Sequence, residues 1–309
     1  MEQPVATPFV DDVVIEGQGA ERVRALLQMG KGKLSVEGGA DTLFRGRFEY
    51  GAPQWKPEVH YTVTDGVGHL QARGPQSWSQ LVDDPRYVWD LALGDQLPLG
   101  LTVHLGSGEA NLNLSDTRLE GLDAAVGSGR FTADLSGDMP DLEQVSLKTG
   151  SGVAAIVLRG RYASLSDVGI SLASGDTDLV LDGSCPRLKQ LKVSGASGRM
   201  DVHLGGDCPA LERVALNTAS GVMTVDLTSG LVHDLAVGLN CVSGVGRVIY
   251  PETLGIALRF TAVSGRFDAP GFTRSGDQYT NSAYRDATVR VHITMSSVSG
   301  KLTVQPAAG

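Results

Sequence analysis

Four side chains in the middle of the chain, Asp178, Asp201, His203 and Asp226, are of types that do chemistry, and they recur at a common distance. From 178 to 201 and from 203 to 226 the step is 23 residues. If each step is one turn of a stack, Asp178 lies over Asp201, and His203 and Asp226 stack two positions further along the same outward face. Carboxylates one strand spacing apart repel unless one is protonated or a cation lies between them. The patch therefore offers a weak divalent-cation or carbohydrate contact, and Asp178, Asp201 and Asp226 would form the acidic set of a polysaccharide-processing enzyme. The reading adopted is the plainer one, a solvated face screened by water and salt, with Arg199 beside Asp176 as a cross-rung ion pair. No catalytic, cofactor-binding or metal-ligating residue is assigned, and no cofactor is expected.

The cysteines repeat the spacing. Cys185 and Cys208 each precede a proline, in GSCPRL and GDCPAL, again 23 residues apart. Stacked at one corner they fall inside the disulfide Cα window of about 4.4–6.8 Å, but parallel Cβ vectors are poor disulfide geometry, so they are expected to serve as paired small apolar residues. Cys241 aligns to an inward strand position without a partner. Three cysteines make no disulfide framework, and neither CxxC nor HExxH spacing occurs. No phosphate-loop, GxSxG or dinucleotide-binding pattern appears, and His60, His69, His104, His203, His233 and His292 are scattered.

Ser-Gly dipeptides explain the distance. In register they stand at 107, 128, 151, 174, 197, 220, 243, 264 and 299, at intervals of 21, 23, 23, 23, 23, 23, 21 and 35, while those at 136, 194, 229 and 275 fall off the register. A period of this length indicates a stacked repeat. Aligned segments such as LKVSGASGRMDVHL and VALNTASGVMTVDL read as strand, turn, strand, with apolar residues alternating on both sides of the turn: Leu191 and Val193, then Met200, Val202 and Leu204. Period two marks a strand with one buried face. Leu119, Leu142, Leu165, Leu188 and Leu211 close successive units. A rung cannot bury its own apolar face, whereas copies stacked about 4.8 Å apart make a continuous interior. Glycine permits the change of direction, and the adjacent serine can hydrogen-bond within the corner.

The fold class expected is all-β, a parallel β-solenoid (β-helix) of about 23-residue rungs with an irregular N-terminal third. Residues 1–21 are expected to be a flexible segment, 22–97 an irregular part and cap, and 98–309 the regular solenoid with a polar loop leaving the coil near 271–286. Weaker copies of the pattern are read at 25–36, around Gly30 and Gly32, and at 59–72, around Asp65-Gly66. Forty glycines against seven phenylalanines fit short strands and tight turns. Net charge is −9, which argues against nucleic acid. No apolar run reaches 18 residues and the N-terminus lacks a signal-peptide pattern, so a soluble cytoplasmic protein without membrane insertion is expected. Capping is read at both termini, from Pro53, Pro57 and Pro75 at one end and from Pro306 after ITMSSVSGKLTVQ at the other.

GKGKLSVEGGADTLFRGRFEY, then YVWDLALGDQLPLGLTVHLGSGEANLNL and the GSG rungs that follow, resemble the bacterial toastrack family, the β-solenoid domain of LiaF-like cell-envelope stress proteins. The resemblance covers residues 22–309 and implies a noncatalytic sensory, adaptor or ligand-binding module, one often attached to membrane helices. The leading expectation is thus a binding or adaptor module in envelope-stress sensing, with an unidentified protein partner and a monomeric or small oligomeric state. The alternatives are a self-assembling structural solenoid and a carbohydrate-binding or polysaccharide-processing β-helix.

Overall fold

The computed structural model describes residues 7–17, 19–75, 87–115 and 117–307. They form twenty-two strands of one sheet. The first six are β1 (Phe9–Ile15), β2 (Arg22–Ala40), β3 (Phe44–Tyr50), β4 (Glu58–Thr64), β5 (Val67–Arg73) and β6 (Val88–Gly94). The regular part holds β7 (Leu99–Asn113), β8 (Leu119–Asp134), β9 (Gly137–Asp138), β10 (Gln144–Leu158), β11 (Gly160–Arg161), β12 (Asp167–Leu172), β13 (Asp176–Ser184), β14 (Gln190–Asp207), β15 (Arg213–Leu231) and β16 (Leu235–Tyr250). Last come β17 (Gly255–Ala262), β18 (Arg266–Asp268), β19 (Thr273–Ser275), β20 (Gln278–Thr280), β21 (Arg290–Ser297) and β22 (Lys301–Pro306).

The chain is a parallel β-solenoid. From β8 to β16 each rung pairs with the next in parallel, and the register advances by one repeat: Val145 opposes Val168, which opposes Leu191, Val214 and Val237 in turn. Like residues therefore stack. Leu191, Val193, Met200, Val202 and Leu204 are buried to 1% exposure or less, and Leu211 closes the rung. Each such side chain contributes about 1.5–3 kcal/mol by leaving water.

The Ser-Gly corner bends a strand without ending it, because β7, β8, β10, β14, β15 and β16 all run through it. Gly129 shows why glycine is needed. Its φ is 114°, and a Cβ there would overlap the carbonyl oxygen of Gly108 in the rung above. Any side chain would force the corners apart and break the ladder.

Both ends depart from sequence order. At the start, β2 lies inside the stack, paired with β7 on one side and with β5 and β6 on the other. The outermost rung, β5 and β6, is covered by antiparallel strands, β4 on β5 and β3 on β6, with β1 added on β3. Two expectations change here. Phe9–Ile15, read as part of a flexible segment, form β1, and the Asp11 carboxylate accepts a hydrogen bond from the Tyr50 hydroxyl at 2.5 Å. Residues 59–72 are an antiparallel hairpin of which only the β5 half joins a rung, since Asp65 and Gly66 both take positive φ, 51° and 76°, and reverse the chain in two residues. Residues 76–86, within the expected N-terminal cap, lie outside the described residues.

At the other end β16 pairs with β21 and β22, and those pair in turn with β17 and β18. The last rung in sequence is thus the next to last in space. The segment expected as a loop leaving the coil, 271–286, holds the β19–β20 hairpin and a 3-10 turn at Ser282–Arg285, and β20 pairs antiparallel with β17 at Ala257 and Leu258. Asn281 fastens it, accepting from the Ile256 amide at 2.9 Å and donating to the Leu254 carbonyl at 2.8 Å. Pro306 does not end the stack. The Ala307 amide donates to Tyr250 at 2.9 Å, so the Pro306 nitrogen faces the opposite side, where β18 has already stopped at Asp268.

Aromatic residues gather where the stack is closed. Phe48 meets Trp89 edge-on at 5.4 Å at one end, while Phe260 stacks on Phe267 at 5.8 Å and Phe267 lies 4.7 Å from Tyr279 at the other. Of the seven phenylalanines only Phe131 lies in the regular rungs between them. Large rings cover the open face of a terminal rung, whereas the interior stacks aliphatic chains.

Candidate functional site

A groove of about 780 Å³ runs along the solenoid on the approach to the Ser-Gly corner, across the rungs from β12 to β21. One column of its lining is a polar ladder, Ser171, Ser194, Asn217, Asn240 and Ser296, each the register partner of the next. Asn240 Nδ2 donates to Asn217 Oδ1 at 2.9 Å. The neighbouring column forms the floor, Leu172, Gly195, Thr218, Cys241 and Ser297 in the same order. Earlier rungs place Met29, Leu105, Val126 and Thr149 at this inward position. At Gly195 the missing side chain is made up by Leu172 and Met200, whose carbon atoms take the space a Cβ would need. Thr218 Oγ1 donates to the Ala196 carbonyl at 3.3 Å, and Cys241, a free thiol without a cysteine partner, donates from Sγ to Ser297 Oγ at 3.4 Å.

The far wall is the residue before each corner serine. In spatial order this column reads Gly30, Gly106, Gly127, Gly150, Ala173, Ala196, Ala219, Val242, Val298 and Val263. Backbone bonds join it: the Ser174 amide donates to Gly150, Ser299 to Val242 and Ser264 to Val298. Where the column is glycine, the rungs are too close for a Cβ; one on Gly127 would overlap the Gly106 carbonyl. Where it is alanine or valine, the side chain stands out into solvent, with Val242 56%, Val298 50% and Val263 85% exposed. Of these, Ala196, Ala219, Val242 and Val298 border the groove. None of the groove's lining residues is charged. The signal was present in the sequence as the progression from GSG through ASG to VSG.

The polar patch divides. Asp178 and Asp201 are register partners, but the side chain that makes contacts is His203, with Nε2 3.5 Å from Asp178 Oδ1 and Nδ1 3.3 Å from Asp226 Oδ2. Asp226 also accepts from the Thr228 amide at 2.9 Å. Among the described residues no group of three or more His, Cys, Asp or Glu is arranged to hold a metal ion. Exposed pairs of this kind contribute about 0–1 kcal/mol each. What joins Asp176 to Arg199 is the Arg199 backbone amide, which donates to Asp176 Oδ1 at 3.2 Å.

Cys185 and Cys208 are buried, 0% and 1% exposed, and both are free thiols. A hydrogen bond with Cys208, together with burial, pushes the Cys185 thiol up. Burial also lowers the imidazole of His233, whose two ring nitrogens have no hydrogen-bond partner. No helix among the described residues is long and apolar enough to cross a membrane.

Comparison with known proteins starts from the N-terminal half: residues 6–159 match the family described as the N-terminal domain of toast_rack, DUF2154. No curated protein matches the chain. Among solved structures it is similar to a candidate cell adhesion protein from Clostridium sporogenes, at 20% identity and a TM-score of 0.38 over 97% of this chain and 100% of that one. It is also similar to a candidate adhesin from Bacteroides fragilis, at 9% identity and 0.41 over 98% and 100%. A candidate lipid-binding protein from Parabacteroides distasonis aligns at 13% identity and 0.37 over 96% of each chain. Scores this low carry no argument about what the present chain binds. The match over 6–159, which takes in β1 to β10 and so both the capped end and the first regular rungs, makes this chain a member of the toastrack family.

Proposed function

We propose that this chain is a noncatalytic binding module that works in bacterial envelope-stress sensing, with the corner groove as its recognition surface. The observation that carries the reading is the groove itself, a shallow, open and uncharged depression across successive rungs, bordered on one side by exposed Ala196, Ala219, Val242 and Val298. A stacked sheet holds those side chains at fixed spacing, and a rigid surface loses little conformational freedom when a ligand settles on it. Membership of the toastrack family supports the setting.

The test is a cell in which the chain carries Asn217→Ala and Asn240→Ala together, challenged with a wall-acting antibiotic and read with an envelope-stress reporter. The expected result is loss of most of the reporter response at unchanged protein level and melting temperature. A response equal to wild type would overturn the reading.

A further inference from the structure

We infer that the ligand of the corner groove is an uncharged linear glycan lying along the solenoid axis, with about one sugar to each rung. The inference rests on the binding-module reading and names the ligand class for that site. Its basis is the ladder of Ser194, Asn217, Asn240 and Ser296, which presents hydroxyl and amide groups once per rung, about 4.8 Å apart. A hexose in an extended β-linked glycan advances along its chain by nearly that step and is turned over relative to the one before, so alternate sugars meet equivalent groups two rungs apart.

The walls fit the two characters of a sugar. Hydroxyls face the ladder, where neutral side chains both donate and accept. The C–H faces lie against the apolar strip that ends in Val242 and Val298, 56% and 50% exposed. Other ligands fit less well. An extended peptide repeats its side chains on one face every ~6.6 Å, and laid across the rungs it falls out of phase within two of them. An anionic polymer finds no cation among the lining residues, and an acyl chain makes no use of the ladder.

The experiment is calorimetry of the full-length protein with neutral β-linked gluco-oligosaccharides and chito-oligosaccharides of increasing length. Polygalacturonate and phosphatidylglycerol vesicles serve as charged and lipid probes. Affinity is expected to rise with length and to level off near five sugars, the number of side chains in the ladder. Asn217→Ala with Asn240→Ala should weaken binding at least tenfold, while Thr303→Ala, on the other face, should leave it unchanged. No heat from any neutral oligosaccharide at millimolar concentration would overturn the inference, and so would binding that ignores the double substitution. Tighter binding of polygalacturonate or vesicles would also overturn it. Glycan failure combined with a lost reporter response in the same variant would leave the binding-module reading standing with a different ligand, so the two failures are distinguishable.

Discussion

The Ser299 amide donates to the carbonyl of Val242 at 2.9 Å, so the rung after β16 in space is the one that ends the chain. Ser264, which follows Val242 more closely in sequence, donates instead to Val298, one layer further out. The C-terminal rung is inserted between two rungs already laid down, and this places Val298 in the groove wall between Val242 and Val263.

An inserted rung should be essential. Leu302 and Val304 are fully buried, Leu302 between Gly246 of β16 and Phe267 of β18. Leu302→Ala should cost about 2–5 kcal/mol, the usual range for a buried leucine. Hydrogen exchange should show faster opening in β16 and β17 as well as in β22. Faster exchange confined to the last few residues would mean that β22 is a fraying end and not an interior layer.

The corner makes a second prediction. Gly129→Ala places a Cβ against the Gly108 carbonyl at a φ of 114°, so the ladder must open there. Backbone strain alone is of order 1–3 kcal/mol, and melting temperature should fall accordingly. Ala219→Gly removes only an exposed methyl and should cost about 0.5–1 kcal/mol, the backbone entropy of glycine inside a strand. Equal effects of the two substitutions would show that the close approach of the corners does not limit the fold.

Much of the solenoid was legible in the sequence because its register is periodic: the alternation of Leu191, Val193, Met200 and Val202 is a local property that survives alignment on Ser-Gly. The same register put Asp178 over Asp201 and His203 over Asp226. Rung order at the C-terminal end was not legible, since the corners at 243, 264 and 299 all read VSG and nothing local ranks them in space. Strand β1 was hidden for a different reason. Asp11 and Asp12 interrupt its apolar pattern, and the strand is held by Tyr50 and Lys56, partners distant in sequence. The groove was missed because it is made of columns that run across the rungs, Ser194 and Gly195 with their register partners beside the exposed Ala196 column, which inspection of single rungs does not reveal.

The thiols should be inert in the native protein. Cys185 is held toward its protonated form by the hydrogen bond with Cys208 and by desolvation, while the same hydrogen bond lowers Cys208, which is kept from reagents by its burial. Since the thiolate is the reactive species, a colorimetric thiol reagent should label neither at neutral pH without denaturant and both in urea. Fast labelling of either in the native protein would mean that the rungs at 185–208 open locally.

The attachment of β1 should depend on pH at both extremes, through Asp11 and Tyr50. The Tyr50 hydrogen bond holds the Asp11 carboxyl below its ordinary value, with Lys56 at 3.1 Å adding to the effect. A depressed acid stabilises the fold above its unfolded pKa near 3.8, and that contribution is lost as pH falls through the lower folded value. Tyr50 is shifted the other way, up to about 12, chiefly because its proton is shared with Asp11. Its contribution is complete below the ordinary phenol value of 10 and disappears as pH rises from there toward 12. Tyr50→Phe removes the alkaline dependence and weakens the acid one, leaving only the part that Lys56 supplies. Amide exchange over Phe9–Ile15, followed against pH, should therefore quicken in acid and again in alkali for wild type, and the variant should exchange faster than wild type at neutral pH. Parallel acid and alkaline limbs in wild type and variant would show that Asp11 and Tyr50 do not hold β1 to β3.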